Sequence, residues 1–106
     1  LPFSNIAIDE LAEMSYKVKE TVDLAIFAFL HWDKEASDKI AVNEEEIDNL
    51  EKKLRINHIK RLNQGECNPS SGVIYLDLLS NLERVGDHSF NIASYILNID
   101  KNYKKL

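Results

Sequence analysis

An all-α protein, folded as an antiparallel up-down-up three-helix bundle, is what three features of this sequence point to. Neither Gly nor Pro occurs between Phe3 and Leu62, a stretch rich in Ala, Leu, Glu, Lys and Ile, which has strong helix propensity and few breakers. The turn formers are gathered instead in Asn63–Gly72, ahead of a third long segment. Each segment carries apolar residues at helical spacing, and none alternates with period two over a useful length.

The first element is expected over about residues 4–31, with an apolar stripe of Leu11, Met14, Val18, Val22, Ala25 and Phe29. A helix continuing to Leu62 would be about 90 Å long, too long for 106 residues to bury. A break is therefore predicted at His31-Trp32-Asp33, where Asp33 can cap a new helix with Glu35 in its first turn. The second helix, about 33–64, offers Ala36, Ile40, Ile47, Leu50, Leu54 and Leu62. Gly65 suits a left-handed helix end. Asn68-Pro69 reads as an N-cap followed by proline at the first helical position. The third helix, about 70–99, presents Leu78, Leu82, Val85, Ser89, Ala93 and Ile96, with Leu79 widening the stripe, and the basic tail Lys101–Lys105 suits a helix C-terminus.

Composition narrows the function. A chain of 106 residues is one domain, 1–106, with 44% hydrophobic and 29% charged residues, ordinary for a globular protein. Thirteen Lys and Arg against 18 Asp and Glu give a net charge of -5, the wrong sign for a nucleic-acid partner. The longest apolar run, Leu24–Leu30, falls far short of the ~20 residues that span a bilayer. A lone Cys67 has no internal disulfide partner, which suits a reducing compartment. The chain opens on Leu1 without a leader, as a piece of something longer would. Leu24–Leu30 is apolar all round, more than a three-helix bundle hides on one helix. Either helix two or the tail covers it, or it is a contact surface for a second copy or partner.

Acids spaced i, i+4 occur at Asp9 with Glu13, Glu44 with Asp48, and Glu83 with Asp87. Composition alone yields such pairs by chance, so a solvated surface is the default for each. Position separates the last two. Asp48 lies about 16 residues before the turn, level with about residue 85 on the third helix, an offset of about 3 Å from the Glu83–Asp87 pair at ~1.5 Å per residue. Both pairs lie off their apolar stripes in the same rotational sense, so antiparallel helices bring them to one side. Four carboxylates in one patch suit a hard or borderline cation: magnesium, manganese, iron, zinc or calcium. The alternative is neutralisation by Arg55 and Arg84. His58 reads as a half-buried packing residue, and His31 and His88 show no ligand spacing. No phosphate loop, catalytic triad or activated thiol is present, so no catalytic residue is assigned.

Glu44-Glu45-Glu46-Ile47-Asp48, Asn81-Leu82-Glu83-Arg84-Val85-Gly86-Asp87-His88 and Asn91-Ile92-Ala93 resemble the PhoU domain, the three-helix repeat of phosphate-uptake regulators. The second block is close to that family's Leu-Glu-Arg-Ile-Gly-Asp signature, with Val85 at the Ile position. In the first helix only the hydrophobic spacing and Met14 fit. Leu54-Arg55, His58-Ile59, Arg61-Leu62, Gly65, Cys67 and Pro69 look like the C-terminal PhoU-like domain of bacterial sodium/phosphate cotransporters. The resemblance implies a single repeat and a non-enzymatic regulatory domain on the cytoplasmic face of the membrane, carried by a membrane transporter domain. It implies Glu44, Asp48, Glu83 and Asp87 as positions matching Glu/Asp-x-x-x-Asp motifs that in some members hold iron or zinc. It also implies self-association or docking on the transporter in place of a second repeat. The rival readings are a stand-alone adaptor in phosphate-uptake signalling and a plain helical oligomerisation bundle.

Overall fold

The structure, a computed structural model, describes residues 3–103, with side chains through residue 98. Three helices run in order: α1 (Asn5–His31), α2 (Lys34–Asn63) and α3 (Pro69–Tyr103). Each packs on the other two, and the connections are short enough to force an antiparallel α1–α2–α3 hairpin order. The rod measures 60 × 19 × 17 Å. α3 continues beyond the expected end near residue 99 because nothing in Ile99–Tyr103 breaks a helix; part of the tail, 104–106, lies outside the described residues.

The helix ends have local causes. Ser4 caps α1, its Oγ accepting from the Ala7 N–H at 3.1 Å. α1 stops at Trp32, which takes the left-handed conformation (φ 51, ψ 47) while its N–H closes onto the Ala28 carbonyl. Asp33 caps α2 by accepting from the Ala36 N–H at 3.0 Å. Gly65 has φ +70, a conformation that costs an L side chain. Asn68 Oδ1 accepts from the Ser70 N–H at 2.8 Å and starts α3.

Buried positions recur every three or four residues: Ala7, Glu10, Met14, Val18, Thr21, Ala25 and Ala28 on α1; Ala36, Ile40, Asn43, Ile47, Leu54, His58 and Arg61 on α2; Tyr75, Leu79, Ser89, Ala93 and Ile96 on α3. This near-heptad spacing keeps one seam facing inward along the full length of long helices. Met14, Val18, Ile47, Leu54, Tyr75 and Leu79 fill one half of the core. Near the α1–α2 turn the core is built from Ala25, Ala28, Ala36 and Ala93 around the larger Ile40 and Ile96.

The seams differ from the expected stripes at three places. Phe29, Leu78 and Val85 are exposed, because the seam follows a period nearer 3.5 and passes through Ala28, Leu79 and Gly86 instead. Leu24–Leu30 is not covered by α2: Ala25 and Ala28 are buried, while Ile26, Phe27, Phe29 and Leu30 are exposed.

One polar group sits inside the core. The buried Glu10 carboxylate accepts from Arg61 Nη2 at 2.7 Å, Tyr75 Oη at 2.8 Å and Asn57 Nδ2 at 3.1 Å. Burial pushes its pKa up, but the hydrogen bonds and the Arg61 charge outweigh that and hold it below the ordinary value. This network joins all three helices. Arg61→Leu leaves the carboxylate buried with its cation gone and is expected to cost about 3–5 kcal/mol. The paired Glu10→Leu/Arg61→Leu variant recovers most of that loss, as measured by urea unfolding.

Candidate metal centre

Gly86 sets the position of the site. A Cβ there would lie 3.2 Å from Ile47 Cδ1 and 3.9 Å from Glu44 Oε2, so the bare glycine lets α3 approach closely against α2 at this level. That contact brings residue 47 level with residue 86, and the acids follow: Glu44 and Glu83 about one turn before, Asp48 and Asp87 immediately after.

The result is a cluster. Glu44 and Asp48 from α2, and Glu83 and Asp87 from α3, each offer one carboxylate oxygen, and these oxygens all lie within 4.8 Å of one another. All four residues are half-buried. Oxygens on opposite sides of a cation with metal–oxygen distances of ~2.0–2.6 Å stand ~4.0–5.2 Å apart, so the spread fits a single small cation.

The electrostatics show the strain of four acids without compensation. Burial, a hydrogen bond with Asp87 and the charge of Asp48 push the Glu44 carboxyl up from 4.5 to about 8. Burial, Asp87 and Asp48 likewise push Glu83 up to about 7. Glu44 Oε2 is fully buried without a hydrogen-bond donor, an arrangement with a desolvation cost.

The arginines do not supply the missing charge. Arg55 is held by Glu51, at 2.5 Å from Nη2 and 2.6 Å from Nε, and donates to Ser80 at 3.1 Å. Among the described residues no ion pair connects Arg84, which is exposed, to the cluster. Glu46 is engaged with Lys17 across the α1–α2 interface. Asp9 and Glu13 are exposed on α1 and outside the cluster.

The histidines are elsewhere. His31 lies against Phe27 with ring centroids 4.4 Å apart and the planes tilted by 43°, His88 is exposed, and His58 is buried outright rather than half-buried. Cys67 is a free, half-buried thiol. The Glu10–Arg61–Tyr75 network was not among the sequence-derived candidates. Its signal was available, since Glu10 stands one turn before Met14 and Arg61 one turn after Asn57 on inward seams.

A bundle of three helices with a two-by-two acid cluster at one glycine-marked crossing defines a class of protein. The family model of the PhoU domain matches residues 11–96, and the chain belongs to the PhoU domain family. Among curated proteins it is similar to the phosphate-specific transport system accessory protein PhoU homolog 1 of Thermotoga maritima, 29% identical over 100 residues. That alignment covers 92% of this chain and 43% of the relative, so the chain spans less than half of the relative's length. No solved structure matches the chain.

The raised carboxyls make a pH prediction. Between pH ~4.5 and 8 the folded protein holds protons on Glu44 and Glu83 that the unfolded chain releases, so stability falls as pH rises through this interval. The metal-free protein should melt a few degrees higher at pH 5 than at pH 8. Glu44→Gln should raise the pH 8 melting temperature and flatten the profile.

Proposed function

We propose that this chain is a non-enzymatic accessory or regulatory bundle of phosphate transport, and that its acid cluster takes a divalent or iron cation. Membership of the PhoU domain family and the accessory role in the Thermotoga relative's name support the accessory reading. The four convergent carboxylate oxygens, with the Glu44 oxygen buried and unpartnered, are the observation that carries the cation. Iron, zinc, manganese or magnesium would meet an all-oxygen donor set, which favours the harder members of that group. A bound cation would replace the protons on Glu44 and Glu83, cancel the repulsion between α2 and α3 and staple that hairpin. Its occupancy would thereby bias how the bundle docks on a transporter at the cytoplasmic face.

Two settings fit this role. The relative's name supports a stand-alone accessory protein. Attachment to a sodium/phosphate transporter rests on the Leu54–Pro69 residues alone. Among the described residues no helix is long and apolar enough to cross a membrane, so the bundle would act beside a membrane domain. The reading frame around this segment decides between them.

The exposed Ile26, Phe27, Phe29 and Leu30 are proposed as the face that meets a second bundle of this kind. Support comes from the alignment, which covers less than half of the relative and so leaves room there for a further domain of similar length.

Metal titration followed by thermal melting tests the site. Manganese, ferrous iron or zinc should raise the melting temperature of the wild type. Asp87→Asn should abolish the rise, while Asp9→Asn leaves it intact. An unchanged melting temperature with every cation removes the metal from the proposal. Sizing across a dilution series tests the face: the wild type should show a concentration-dependent dimer, and Phe29→Glu/Leu30→Lys should run as a monomer throughout.

A further inference from the structure

At the end of the rod where α2 finishes, the N-termini of α1 and α3 stand side by side. A cavity of about 280 Å³ opens between them, lined among others by Ser4, His58, Arg61, Ser71, Gly72 and Tyr75. It is smaller than the ~300–1,000 Å³ typical of drug-sized pockets. His58 lies ten residues beyond Asp48 along α2, about 15 Å at ~1.5 Å per residue, so this end is separate from the acid cluster.

His58 is 2% exposed, yet its Nε2 is fully buried without a hydrogen-bond partner. A buried ring nitrogen without a partner carries a desolvation cost that a ligand would relieve. The ring is held firmly, stacked on Tyr75 at 4.7 Å between centroids and 24° between planes, while Tyr75 is fixed in turn by its hydrogen bond to Glu10. Because residue 72 is glycine, no side chain presses on Nε2 from α3: a Cβ there would stand 2.8 Å from it.

The surrounding donors have one polarity. Two helix N-termini point their partial positive charge at this end. In the first turn of α3, the Ser70 N–H goes to Asn68 Oδ1 and the Gly72 N–H to the Asn68 carbonyl. Pro69 has no N–H, and the Ser71 N–H, a first-turn amide, has no acceptor among the described residues. Arg61 adds guanidinium donors, its charge paired with Glu10 through one nitrogen and its remaining N–H groups left over. The one acid in the lining, Glu66, is exposed, so its charge is solvated. The cavity thus offers donors from two helices around a small volume.

We propose that this cavity binds a small phosphate-type oxyanion, held by the Ser71 N–H, the Arg61 guanidinium and His58 Nε2. A neutral imidazole serves this by carrying its proton on Nε2. Burial, followed by the Arg61 charge, does hold His58 below its ordinary pKa, with Glu10 opposing. Inorganic phosphate and phosphate monoesters share the recognised group. The site does not depend on the metal reading.

The test is NMR titration of the whole chain, with a metal chelator present, using inorganic phosphate and separately glycerol 3-phosphate. Saturable shifts of the His58 ring nitrogens and the Ser71 amide are expected with at least one of them, and which one responds identifies the source. Chloride at matched ionic strength should leave both signals in place. Ser71→Asp adds a negative charge where a helix N-terminus tolerates it, so the protein stays folded while affinity falls by about tenfold or more, or ~1.4 kcal/mol. Gly72→Ala, which presses a Cβ against Nε2, should weaken binding as well. Asp87→Asn should leave phosphate binding unchanged, even if it abolishes the metal response. No saturable shift with either probe, equal shifts with chloride, or undiminished binding in Ser71→Asp would overturn the assignment.

Discussion

The close crossing of α2 and α3 at Ile47 and Gly86 is the constraint on which the site depends. Ile47 is fully buried, and the missing side chain at residue 86 lets it sit against the α3 backbone. In a helix interior that glycine costs ~1 kcal/mol relative to alanine. The cost is offset by packing, and the packing sets both level and rotation for the neighbouring residues. Glu44 and Asp48 flank Ile47 on α2; Glu83 and Asp87 flank the same level on α3. The apolar contact therefore brings together four groups that would otherwise repel one another.

Two polar centres along the same bundle show opposite outcomes of burying a carboxylate. Glu10 receives three hydrogen bonds, one of them from a guanidinium, and its pKa goes down although burial alone would raise it. Glu44 is surrounded by other acids, and its pKa goes up for the burial and for the neighbours alike. The first arrangement joins three helices and specifies how they fit. The second adds nothing to cohesion between α2 and α3 in the absence of a counter-charge, and the core of Met14, Val18, Leu54 and Leu79 must hold the helices together against it. A satisfied centre beside an unsatisfied one distinguishes a structural polar contact from a candidate ligand site.

Much of this was legible in the amino-acid order because it rests on local chemistry. Asp33, Gly65 and Asn68 mark their helix ends by capping and backbone preference, which depend on a few neighbours only. The level match of the acid pairs followed from counting back from the turn at a fixed rise. Rotation was harder. A stripe read at 3.6 residues per turn drifts from a seam of period near 3.5, and over the length of α3 this moved the inward positions from Leu78 and Val85 to Leu79 and Gly86. Glu10, Arg61 and His58 were missed or misplaced for a different reason. Charged or polar side chains count as surface in any pattern of apolar residues, and only their partners from other helices make their burial tolerable. Those partners, Tyr75 and Asn57, are distant in sequence from Glu10.

The protonation of the acid cluster also bears on how it would work as a cation site. With Glu44 at about 8 and Glu83 at about 7, a cation arriving at neutral pH competes with protons rather than with water alone. Binding would release them, so apparent affinity would rise with pH until both carboxyls are free, and level off above pH ~8. The competition lowers the apparent affinity of every divalent cation by the same factor, so selectivity would rest on the donors. Among the ions that an all-oxygen set suits, magnesium sheds its water reluctantly, whereas manganese would bind the carboxylates more tightly. In a site assembled from half-buried, mutually repelling acids, the protons would set the pH above which any cation binds, and the donors and their spacing would set which one.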